Sequence, residues 1–181
     1  MYYTQKFEAQ IDVETLLNDY IDFEQYENSC KNCPNYGALY SCPPYDFDKL
    51  ELLRKYKKLR IIGLQILFDK KLTSKVYSES EISTVNRNII NPERNSFDAD
   101  LLLEEKRSNG LALYSGSCNL CQICKRKTNE PCEHPNKMRY SIESLGGDVV
   151  GLSRDYLGVN ILWAGKGKLP EYFLFVGGIL I

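Results

Sequence analysis

Neither sign of charge is in surplus in this chain. Its 23 basic residues face 24 acidic ones, and the isoelectric point lies near 5.9. A general nucleic-acid binder would carry a basic excess or a helix of regularly spaced cations, so no nucleic-acid partner is expected, although a local basic patch is not excluded. Long apolar runs are also missing. The longest, Tyr172 to Ile181, is far short of the ~20 residues a bilayer-spanning helix needs, and no membrane partner is expected. The amino-terminal residues Met1 to Gln10 contain no apolar core and no small-residue cleavage site, so no secretory signal is read there. A cytoplasmic location follows as an expectation, with thiols kept reduced. There is no phosphate-cradling glycine loop, no nucleophile elbow and no dinucleotide fingerprint, because Gly165-x-Gly167 opens no following helix. Internal repeats and low-complexity tracts are absent, and histidine occurs once, as His134.

What the chain does have is seven cysteines in two tight groups. The first reads Cys30-x2-Cys33-x8-Cys42 followed by Pro43-Pro44, and the second reads Cys118-x2-Cys121-x2-Cys124-x7-Cys132. Residues 43–117 contain none. Isolated core cysteines behave as small hydrophobes and scatter, whereas thiols at every third position of a loop behave as ligands for zinc or iron. An odd count leaves at least one thiol without an intramolecular disulfide partner.

Three thiolates spaced as in Cys118, Cys121 and Cys124 can wrap one [4Fe–4S] cluster, as the bacterial ferredoxin run does. Zinc more often uses separated pairs and is the alternative cofactor. Cys132 is the candidate fourth ligand. The ferredoxin run differs in leaving three residues, not seven, before its last cysteine and in placing proline directly after it. Lys125, Arg126, Lys127, Lys137 and Arg139 bracket Cys132. They form either a solvated basic loop or a docking surface for an acidic redox partner protein. His134 is read as a surface or supporting residue, since four cysteines are already present.

Cys30, Cys33 and Cys42 offer three thiolates and no obvious fourth. Three protein ligands leave one position open for water or substrate. Pro43-Pro44 forces extended backbone, and Tyr36, Tyr40 and Tyr45 either wall the site or pack as ordinary loop residues. Two wirings are open. Each group binds its own metal, giving one cluster or two, or Cys132 crosses to the first group.

The fold class expected is α+β, a single domain over 1–181. It comprises an approximately four-stranded, mainly antiparallel sheet with helices packed on it and two cysteine-rich metal loops, at about 28–46 and 116–136. Helices are expected at 12–21 behind an Asp12 cap, at 46–57, over most of 71–91, from Ser96 to about Lys106 after a break at Pro92 and Asn95, and from Ser141 to about Tyr156, weakened at Gly146-Gly147. Strands are expected at 59–68, 111–114, 160–164 and 172–181, the last two as a hairpin turning through 165–170.

The two cysteine motifs, with Tyr36, Pro135, Arg139, Ser141, Glu143, Gly146 and Asp148-Val149 in order, resemble the small predicted metal-binding proteins of bacteria and archaea catalogued as a domain of unknown function. Gly147 departs from that pattern, which has a larger, usually apolar residue there. The resemblance implies metal binding, an association with anaerobic lifestyles, and support of the cluster loop by Arg139, Ser141, Glu143 and Asp148 through capping and hydrogen bonding. A catalytic role for Glu143 or Asp148 is a lesser alternative, since neither has an acid–base partner in sequence. Three functions follow as expectations: an iron–sulfur protein in electron transfer or accessory to a redox enzyme, an enzyme using an open three-cysteine centre, or a zinc-stabilised binding module.

Overall fold

The computed structural model describes residues 1–165 and 167–181. Its centre is a four-stranded antiparallel sheet in the order β1-β2-β4-β3. The apolar run predicted at 59–68 forms β2, Lys58–Phe68. It lies between β1, Tyr2–Asp12, and β4, Tyr172–Leu180. The short β3, Leu111–Leu113, meets β4 only at Gly178 to Leu180. Being central explains why β2 is apolar on both faces rather than alternating. Leu59 and Ile61 enter one core cluster with Leu113, Leu174, Val176 and Leu180, whereas Ile62 and Leu64 enter a second with Ala112, Tyr114 and Ile179.

Helices cover both faces. The second cluster is closed by Phe97 and Leu101 of α6, Asn91–Ser108. The first is closed by α1, Val13–Asp19, α3, Lys49–Arg54, and α7, Val149–Leu152, through Val13, Leu16, Leu53, Val149 and Leu152. Gly177 lets α6 approach: a Cβ there would lie 2.6 Å from Leu101 Cδ1 and 2.7 Å from the Leu113 carbonyl oxygen.

Several local expectations are corrected. β1 is a strand although its residues are mostly polar and exposed. As an edge strand it is held by its backbone ladder to β2, from Tyr2↔Phe68 to Asp12↔Lys58, and by ion pairs of Lys6 with Asp100 and of Glu8 with Arg60. Charged edges also discourage pairing with other chains. No ladder forms at 160–164, so the terminal hairpin is not made. β4 gives one edge to β2 from Leu67↔Tyr172 to Leu59↔Leu180, and a cavity of about 250 Å³ separates its other edge from Ile161–Trp163. Lys166, in the turn expected at 165–170, lies outside the described residues.

The 71–91 helix divides into α4, Lys70–Thr73, α5, Glu79–Val85, and a π turn at Asn86–Ile90, because Asp69 and Ser78 each cap a fresh start. Pro92 does not interrupt α6. It comes just after the π turn, where the regular i→i−4 ladder is already interrupted. The Ser141–Tyr156 helix is broken at the glycine pair. A 3₁₀ turn, Glu143–Leu145, ends at Gly146 with φ 95°, and Asp148 then caps α7 through the Gly151 amide at 2.9 Å before a π turn at Ser153–Leu157. Asp12 precedes α1 without a side-chain cap bond. The Val13 amide donates instead to the Lys57 carbonyl at 2.8 Å. The helix expected at 46–57 is confined to α3 and capped by Asp48.

One helix has no counterpart in the expectations. α2, Phe23–Lys31, is capped by the Asp22 carboxylate on the Gln25 amide and carries Glu24 in its first turn and Lys31 in its last. Residues 28–31 of the expected first loop are therefore helical, and Cys30 is on the final turn.

Candidate metal centre

The second cysteine loop leaves β3 through Tyr114 and is fixed at both ends by α6. At its entry, the Ser115 amide and hydroxyl both donate to Asp98 Oδ1, at 3.1 and 3.0 Å, and the Arg94 guanidinium donates to the Ser117 carbonyl. At its exit, Arg139 makes a two-pronged ion pair with Glu105 and donates to the carbonyls of Met138 and Asn136. The buried Tyr114 hydroxyl donates to the Lys137 carbonyl at 2.6 Å. Between these anchors Cys118, Cys121, Cys124 and Cys132 line one pocket with Leu39, Tyr40 and His134. Cys132, whose destination the sequence left open, is thus placed with the second group. His134 and Glu133 stand beside Cys121, their ligand-capable atoms all within 4.8 Å of one another.

The first loop starts at the end of α2. The Cys33 amide donates to the Cys30 carbonyl, Tyr36 to Cys33, and Cys42 to Leu39, a series of tight turns along the loop. Pro43-Pro44 is a cis pair, and the Pro43 carbonyl accepts from the Gly37 amide at 2.7 Å. The three tyrosines take separate roles. Tyr36 donates to Glu27 at 2.8 Å. Tyr45 donates to the Ser41 carbonyl and stacks on Phe47 at 4.8 Å. Tyr40 reaches across to the second loop, donating to the Glu130 carbonyl at 2.6 Å and lining its pocket.

The two loops are locked together. Arg126, two residues after Cys124, donates to the carbonyls of Leu39, Cys42 and Pro44 at 2.7, 2.5 and 2.5 Å. The Cys118 amide donates to the buried Ser41 hydroxyl at 2.9 Å, and Asn35 donates to Ser117 at 3.2 Å. Arg126 is therefore a structural rivet and not a free surface cation. Lys125 is paired with Glu130 and Glu133, while Lys127 and Lys137 are exposed.

All seven cysteines are free thiols. Burial pushes the Cys30, Cys42 and Cys118 thiols up from their ordinary range, and neighbouring thiols add to the effect. Desolvation followed by the Glu133 carboxylate does the same to Cys121. Such a cluster resists ionising alone, and a bound cation reverses the sign. Beside the first group, burial works to raise Glu27, but the bonds from Tyr36 and Lys49 outweigh it and hold that carboxyl below its usual value. Four thiols lining one largely apolar pocket are a donor set suited to a thiophilic metal.

The supporting residues expected from the resemblance are found in part where they were placed. Arg139 pins the loop exit. Ser141 accepts from the Ser144 amide and so shapes the turn after it, and Asp148 caps α7. Glu143 makes no bond to the loop. The residues sequence reasoning missed are Arg94, Asp98 and Glu105. Their spacings of four and seven put them on one face of α6, but the core residue Leu101 shares that stripe, so no polar face marks them in the sequence.

A family model described as "Predicted metal-binding protein (DUF2284)" matches residues 17–181. The chain belongs to that family. No curated protein and no solved structure matches it.

Proposed function

We propose, starting from membership of this metal-binding family, that Cys118, Cys121, Cys124 and Cys132 hold a [4Fe–4S] cluster. On this reading the protein acts in electron transfer or as an accessory to a redox enzyme, with Cys30, Cys33 and Cys42 as a second, three-cysteine metal site. The observation that carries the reading is the single pocket lined by all four cysteines of the second group, in the spacing that suits a cubane better than zinc. When bound, a cluster supplies one-electron chemistry. The protein's own residues do the rest. Asp98, Arg94, Glu105 and Arg139 fix the two ends of the loop, Leu39 and Tyr40 wall it from water, and the exposed Lys127 and Lys137 offer an acidic redox partner protein a place to approach.

The first group favours a second reading, in which an open centre binds substrate. Its three cysteines have no fourth thiol, since the other four line a different pocket. An exogenous thiol or carboxylate that perturbs this centre's spectrum supports that enzyme.

The test is anaerobic purification with iron, zinc and acid-labile sulfide analysis beside an absorption spectrum. Near-equal iron and sulfide with a broad band near ~400 nm supports the cluster. Changing any one of Cys118, Cys121, Cys124 or Cys132 to Ser should remove it, and Cys42→Ser should spare it. Zinc without sulfide overturns the redox reading and leaves a zinc-stabilised module.

A further inference from the structure

Away from the cysteines, a slot runs along the open edge of β4. β3 pairs only with Gly178 to Leu180, so among the described residues no strand covers that edge from Tyr172 to Gly177. Ile161–Trp163 stands opposite, and between them is a cavity of about 250 Å³, room for a molecule of roughly ten non-hydrogen atoms on the scale of small-ligand pockets. Its walls are almost wholly apolar or aromatic, among them Ile161, Trp163, Phe173 and Val176. The polar groups lining it are Ser115 and Glu143.

Glu143 is the anomaly. Its Oε2 is shielded from solvent and has no hydrogen-bond partner. Its own backbone amide, the Ser141 side chain and the charge of Arg94 act on the carboxyl, but none of them bonds Oε2. The cation whose charge acts on it, Arg94, is engaged with Asp98 at 3.7 Å and with the Ser117 carbonyl. Burial pushes the Glu143 carboxyl up by more than Ser141 and Arg94 hold it down. An apolar, aromatic cavity with one acid in its lining is complementary to an ammonium group carried on an apolar body. The carboxylate takes the charge, and the exposed indole of Trp163 and the ring of Phe173 take the body and contribute cation–π attraction.

We propose that the slot between the open edge of β4 and Ile161–Trp163 is a binding site for a small apolar or aromatic primary amine, with Glu143 as its charge partner. The site does not depend on metal at the cysteines, so it stands or falls separately from the cluster reading.

Trp163 is the only tryptophan in the chain, which makes its fluorescence a local reporter. The experiment titrates purified protein with 2-phenylethylamine, 2-phenylethanol and 3-phenylpropionate, which share a ring and differ in the terminal group. The expected result is a saturable change in Trp163 emission. The amine should bind at least ~10-fold more tightly than the alcohol, the scale of one charge-assisted bond, and the carboxylate should not bind. Glu143→Gln should keep alcohol binding and lose the preference for the amine. Equal affinity for amine and alcohol in the unmodified protein overturns the proposal, as does the absence of any saturable change. The comparison of the three probes on the unmodified protein decides even if the variant fails to fold. A folded Glu143→Gln protein that retains the preference also overturns it.

Discussion

Replacing Arg126 should loosen the first cysteine loop while leaving every cysteine in place. Its guanidinium supplies three bonds to the carbonyls of Leu39, Cys42 and Pro44. Charge-assisted bonds of this kind contribute about 1.5–3 kcal/mol each. The three share one partly exposed side chain and are not additive, so Arg126→Gln should cost about 3 kcal/mol. For a chain of this size that is a fall of about 6–12 °C in Tm, measured on metal-free protein by thermal unfolding. Hydrogen exchange should quicken at the Gly37 and Cys42 amides, whose partners are the Pro43 and Leu39 carbonyls. Arg126→Lys should recover only part of the loss, because one ammonium cannot span three carbonyls as a planar fork does. A shift of less than ~2 °C with unchanged exchange at both amides would refute the idea that Arg126 fastens the loops.

The remaining predictions concern the frame around the sites. Burial alone would raise the Glu105 carboxyl, but Arg139 and the Ala112 amide hold it below its usual value. A depressed acid stabilises fully above its unfolded pKa of about 4.3, and that contribution is lost as pH falls through the folded value. Arg139→Met should therefore lower stability at pH 7 by about 3 kcal/mol and abolish this acid-labile part, which denaturant titrations at pH 3.5 to 7 would read. Gly177→Ala pushes a methyl against Leu101 and the Leu113 carbonyl. It should cost about 1–3 kcal/mol, and a neutral result in urea unfolding would show that α6 packs less closely on β4.

Legibility in the sequence followed how local each feature is. The apolar run of β2 and the cysteine spacings are carried by neighbouring residues and could be read directly. β1 was invisible because Lys6, Glu8 and Gln10 look like solvent-facing residues, and its strand character comes from a ladder to residues 46 to 66 positions away. The partner of β4 was misassigned for the same reason: adjacency in sequence favours 160–164, whereas the ladder of β4 is made with β2 and, at its end, with β3. At the site, the spacing of the second group set its cysteines apart as candidate ligands, while the position of Cys132 beside them needed the path of the chain. Arg94, Asp98 and Glu105 sit among other charged residues of α6, and nothing nearby in sequence shows that they hold both ends of the metal loop.

The strand order divides the protein in a way the sequence does not repeat. β1 and β2, with Cys30, Cys33 and Cys42, come from the first 68 residues, and β3 and β4, with the other four cysteines, come from residue 111 onward. The halves meet along the β2–β4 seam and again where Arg126 grips the Cys42 carbonyl. A cut between α4 and α5 would therefore remove no strand and no thiol from either half. Two separately made fragments carry everything needed to rejoin, and restored grip of one cysteine loop on the other would report that the sheet between them had closed.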